Sequence, residues 1–73
     1  MFVNNTTNAA YLKCRGFEIG RVSGFNSIEV IGKKEDIEKE LDNMDNVKIN
    51  PVYLITEYKY VVYLAKMAEK KKR

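Results

Sequence analysis

The sequence predicts a small α+β domain of order β-α-β-β-α-α, an antiparallel hairpin packed by helices and ending in a long C-terminal helix. Three patterns predict it. Residues 17–31 alternate apolar and polar side chains on either side of a turn, as two half-buried strands do. Ile37, Leu41 and Met44 recur at i, i+4 and i+7, one narrow apolar stripe on a helix. From Pro51 to Ala68 the apolar residues keep a helical period.

In chain order, Phe2 and Val3 can form a short first strand. Asn5, Thr6 or Thr7 can cap a helix through Ala9, Ala10, Tyr11, Leu12 and Cys14, because a side-chain oxygen there satisfies a backbone N–H that the helix leaves unpaired. Gly16 stops that helix by accepting the left-handed conformation. Phe17, Ile19 and Arg21 alternate with Glu18, Gly20 and Val22, and Ile28 and Val30 with Glu29 and Ile31. Between them Ser23, Gly24, Phe25 and Asn26 supply the turn. Gly32, Lys33 and Lys34 lead into the second helix, where Glu35 and Asp36 suit the positive end and Asp45 and Asn46 close it. Val47 and Ile49 form an extended connector, and Asn50 with Pro51 opens the third helix. Leu41 and Val61 are expected where the second and third helices meet the hairpin.

A chain of 73 residues makes one domain, assigned to residues 1–69 with a basic tail at 70–73. It buries only ~60% of its unfolded surface and gains from any additional staple. One cysteine and no histidine exclude an internal disulfide and the usual zinc ligand sets, so self-association is the expected staple and no cofactor is expected. Neither a signal peptide nor an apolar run of membrane-spanning length is visible, which predicts a cytoplasmic protein with no membrane partner. The formal charge is +3, but Lys70, Lys71, Lys72 and Arg73 hold four positive charges, and without them the body is at −1. High overall basicity is therefore a property of the tail.

At 100° per residue the third helix carries two apolar stripes. Leu54, Tyr58, Val61, Val62, Leu64, Ala65 and Ala68 make the side that a core would bury. Tyr53, Tyr60, Tyr63 and Met67 make another, bounded by Lys59, Lys66 and Lys70. Two readings stay open: this helix is central and buried on most sides, or its second stripe meets a partner.

Three stretches together resemble a family of small proteins from phages, prophages and other bacterial mobile elements, a domain of unknown function. They are Ala9, Ala10, Tyr11, Leu12, Lys13, Cys14, Arg15, Gly16 and Phe17; Ile28 and Val30 running into an acidic helix; and Val47, Ile49, Asn50, Pro51 and Tyr53 leading to Tyr60 through Leu64 in a final lysine-bearing helix. The resemblance covers most of the chain and is carried by caps, turns and core positions. It implies the βαββαα fold and a phage-type origin, and supplies no reaction.

No constellation of catalytic type is present. There is no histidine base, no glycine-rich phosphate loop after a strand and no serine in a nucleophile elbow. Six acids, Glu35, Asp36, Glu38, Glu40, Asp42 and Asp45, surround the second helix as a solvated face rather than in the loop spacing of a calcium site. Cys14 is expected to be a small buried hydrophobe. Lys13 and Arg21 could extend a basic patch toward the tail. The expected function is that of a non-enzymatic binding module of phage or mobile-element type, a homo-oligomer through Tyr53, Lys59, Tyr60, Tyr63, Lys66 and Met67 that binds a host macromolecule, with inhibition of a bacterial defence system as the most concrete form that the resemblance implies. The alternative is a nucleic-acid-binding or transcription-regulating protein that contacts phosphates through Lys70, Lys71, Lys72 and Arg73 and stacks bases on the tyrosines.

Overall fold

The computed structural model describes residues 1–71 and has the expected order: β1 (Phe2–Val3), α1 (Thr6–Cys14), β2 (Glu18–Gly24), β3 (Ser27–Ile31), α2 (Lys34–Asp42), a 3-10 turn (Met44–Asn46) and α3 (Pro51–Lys71). The local signals act as read. Asn5 Oδ1 accepts from the backbone N of Thr7 at 2.7 Å and of Asn8 at 3.2 Å, capping α1. At the other end Gly16 takes φ +100°, the Gly16 N–H donates to Lys13 O, and the Phe17 N–H donates back to Leu12 O, each at 3.1 Å. That pair of bonds is a Schellman cap, which only glycine forms without strain. Asn50 Oδ1 accepts from Val52 N at 2.9 Å, with Pro51 in the first turn of α3.

The hairpin becomes a three-stranded antiparallel sheet of order β1-β3-β2, with Phe2 opposite Glu29 and Val3 opposite Ile28. The Val30 N–H donates to Met1 O at 2.7 Å and continues this pairing past the strand. On the other side of β3, Ile19 faces Val30 and Val22 faces Ile28, so Gly20 and Arg21 together oppose Glu29 in a bulge. The Glu29 carboxylate occupies the place a Cβ at residue 20 would need and accepts from Arg21 N at 3.0 Å. A side chain at 20 would displace it.

The core is Val3, Ala9, Ala10, Tyr11, Leu12, Ile28, Val30, Ile37, Val61 and Ala65. Four of these are consecutive in α1, so α1 is covered on every side in its middle turn. It is the central element: α3 packs on α1 and β2, and α2 packs on α1. Val61 is buried in the core where α3 meets the hairpin through β2, as expected, whereas α2 joins the core chiefly through α1 and Leu41 is only half-buried. α2 also ends at Asp42, two residues short of the expected stripe, and Met44 starts the 3-10 turn while still packing on the core.

One of the six acids does not belong to a solvated face. Glu40 is half-buried, and its Oε2 accepts from the Tyr11 hydroxyl and from Arg15 Nε, both at 3.1 Å. The ring of Tyr11 is buried and its hydroxyl reaches out to this carboxylate, so Glu40 ties α2 to the end of α1. Burial, and then the bond to Glu40, raise the Tyr11 pKa, while the Arg15 guanidinium holds the Glu40 carboxyl below its usual range.

Val61→Ala is expected to cost about 1–3 kcal/mol in urea unfolding, as for other buried branched side chains, and half-buried Leu41→Ala less. An unchanged midpoint for Val61→Ala would show that α3 is not seated as described. Because the folded Glu40 pKa is depressed, its contribution is full above the ordinary carboxylate pKa and is lost as pH falls through the lower folded value. Glu40→Gln should therefore be less stable than the parent near neutral pH, with the two unfolding midpoints converging as the solution is acidified.

Candidate functional site

Seating α3 on α1 and β2 decides which of its two stripes is used inside the domain. Val61 and Ala65 are buried and Leu54, Val62, Leu64 and Ala68 half-buried, so the core stripe is as read for these six. Tyr58 is not part of it. At 41% exposed it is more open than the other members of the stripe, all of which are buried or half-buried.

The second stripe is open. Tyr53, Tyr60, Tyr63 and Met67 range from 42% exposed at Met67 to 67% at Tyr53, and Val52 and Ile55 are also exposed. Val52 falls between the directions of Lys59 and Tyr63 on the helical wheel, so the same angular plot that found the tyrosines would have found it. Tyr53, Thr56, Tyr60, Tyr63 and Met67 are spaced three, four, three and four residues apart, a heptad seam, while Leu54, Val61, Ala65 and Ala68 line the inner side. α3 is thus a helix with two seams.

The two long edges of the outer seam differ. Along one side Lys59, Lys66 and Lys70 are exposed, and among the described residues none has a carboxylate within 4.0 Å. Along the other, Lys13 of α1 is 3.1 Å from Glu57 and 5.3 Å from the centre of the Tyr60 ring. Lys13 therefore does not extend a basic patch. It is neutralised by Glu57 and lies over Tyr60, which gains a cation–π contact. Near the C-terminal end, Tyr63 and Met67 border a depression of about 410 Å³ shared with Phe25 of the hairpin turn, and a second of about 430 Å³ that reaches Gly20, Val22 and Ser23 of β2. Lys70 and Lys71 belong to the last turn of α3, and Lys72 and Arg73 lie outside the described residues.

Elsewhere the chemistry is sparse. Cys14 is half-buried rather than fully buried, because the last turn of α1 emerges from the core beside Glu57. Burial first and the Glu57 carboxylate second raise its pKa, which keeps the thiol protonated and weakly nucleophilic. No group of three or more potential metal ligands exists among the described residues, and no helix among them is long and apolar enough to cross a membrane. A depression of about 640 Å³ beside α2, lined by Phe17, Asp36, Lys39, Glu40, Asp42 and Asn43, mixes charges of both signs without pairing a nucleophile with a base.

No known protein family, characterised protein or solved structure matches this chain.

Since the inner seam of α3 ends at Ala68, removal of residues 70–73 should leave the circular dichroism spectrum unchanged and move the stability by no more than ~0.5 kcal/mol, as for other surface changes. A cooperative transition lost on truncation would place the last turn of α3 in the core.

Proposed function

We propose that this chain is a non-enzymatic binding module of phage or mobile-element type, which self-associates through the outer seam of α3 and acts by occupying a macromolecule in the bacterial cytoplasm. The observation that carries the reading is the open stripe of Tyr53, Tyr60, Tyr63 and Met67 on a helix whose other stripe already serves the core. Tyrosine and methionine are enriched at protein interfaces, where a phenol can pack its ring and keep its hydroxyl bonded. Inhibition of a bacterial defence system is the most concrete form of the proposal and rests on the family resemblance.

A second reading is supported by Lys59, Lys66 and Lys70, which flank stackable tyrosines and lack carboxylate partners among the described residues. It is binding of single-stranded nucleic acid, with bases on the rings and lysines on phosphates. Salt separates the two, because phosphate binding weakens steeply with ionic strength and apolar contact does not.

Replacing Tyr60 and Met67 with Glu puts carboxylates into the outer seam and leaves Val61 and Ala65 alone. An unpaired carboxylate is costly to desolvate. The double variant is expected to stay folded by circular dichroism and to show a lower mass by light scattering. Unfolding would mean that both seams are internal, and an unchanged mass in a folded oligomer would remove α3 from the interface.

A further inference from the structure

Taking the outer seam of α3 as a self-association surface, as proposed above, we infer that two copies of this chain pair α3 against α3 in antiparallel fashion, about a two-fold axis that crosses the helix between Tyr60 and Tyr63. Three observations carry this geometry.

The first is the period. Tyr53, Thr56, Tyr60, Tyr63 and Met67 recur every three and four residues, the repeat by which one helix seats side chains between those of another at a shallow crossing angle. A flat or irregular partner has no need of that repeat.

The second is area. An aromatic side chain offers ~150–250 Å², so Tyr53, Tyr60 and Tyr63, each about half exposed or more, leave roughly 300 Å² open between them. Val52, Thr56, Met67 and the aliphatic stems of Lys59, Lys66 and Lys70 extend the same strip toward the ~800 Å² per partner that a standard interface buries. A single α3 from a second copy is the right length to cover it, because it is the same helix.

The third is charge, and it decides direction. The C-terminal half of α3 carries Lys66, Lys70 and Lys71 with Glu69, whereas the N-terminal half from Pro51 to Tyr60 carries Lys59 with Glu57. Parallel pairing would stack these lysines on their own copies. Antiparallel pairing sets the lysine-rich half of each helix against the half of the other in which one lysine is matched by one glutamate, and it opposes the two helix dipoles. With the axis between Tyr60 and Tyr63, Tyr60 packs on the partner subunit's Tyr63, and Thr56 faces the partner subunit's Met67. The contact is then isologous and closes as a dimer.

Cysteine pairing tests the register. In a Cys14→Ala background, Thr56→Cys and Met67→Cys chains are mixed under a mild oxidant and resolved without reductant. The expected result is a mixed Thr56→Cys/Met67→Cys disulfide dimer, with neither variant linking to itself, since the two copies of residue 56 lie about 16 Å apart along the antiparallel pair at 1.5 Å per residue. Self-linking of Thr56→Cys would overturn the antiparallel arrangement in favour of a parallel one. Light scattering of the unsubstituted chain across a salt series accompanies it, with a dimer mass that does not fall as salt rises expected. A dimer without the mixed disulfide would overturn the pairing while leaving self-association intact. A monomer at every soluble concentration would overturn both, and binding of a single-stranded oligonucleotide that salt abolishes would then assign the seam to nucleic acid.

Discussion

The burial of one short helix on all sides governs this fold. Ala9, Ala10, Tyr11 and Leu12 are consecutive and buried, which a helix allows only when neighbours cover its whole circumference. Two alanines make this possible, since their small side chains let adjacent backbones come close. The polar requirements of α1 are therefore pushed to its ends, where Asn5 caps the first turn and Lys13, Arg15 and Gly16 handle the last. Because α1 occupies the middle, α3 lies against it with a single stripe. A helix of 21 residues against so small a body has its other stripe left in solvent.

Charges near the end of α1 are spent within the domain. Arg15 and Tyr11 share Glu40 of α2, and Lys13 takes Glu57 of α3, so the last turn of α1 holds both other helices. Pairs of this type, screened by solvent, add little to stability, so their larger effect is to fix orientation. They also leave a sorted surface. Among the described residues Glu35, Asp36 and Asp42 of α2 have no cation within 4.0 Å, and the lysines of the outer α3 seam keep their charge uncompensated within the same distance.

The sheet offers less for association than the helix does. Its edge strands are β1, of two residues, and β2, which the bulge at Gly20 and Arg21 interrupts. Short and bulged edges are poor templates for an added strand. The Glu29 carboxylate, bound to Arg21 N, fastens the bulge in place. With both edges blunted, the outer face of α3 is left as an extended apolar surface among the described residues, and Phe25 at the hairpin turn adjoins it near Met67.

What the sequence by itself determined is local. Asn5, Gly16, Asn50 and Pro51 announce where helices start and stop because capping needs only neighbours along the chain, and the alternation around Ile28 and Val30 reveals a strand face for the same reason. The second stripe of α3 was legible too, since helical direction follows from residue number alone. Only the tertiary structure decided which elements meet. The joining of β1 to β3, the central place of α1, the exposure of Tyr58, the emergence of Cys14, and the diversion of Lys13 and Glu40 into contacts with Tyr60 and Tyr11 all depend on residues far apart in sequence. A periodic pattern states that a face is apolar. Whether that face is covered is a property of its neighbours, and those are chosen when the chain packs.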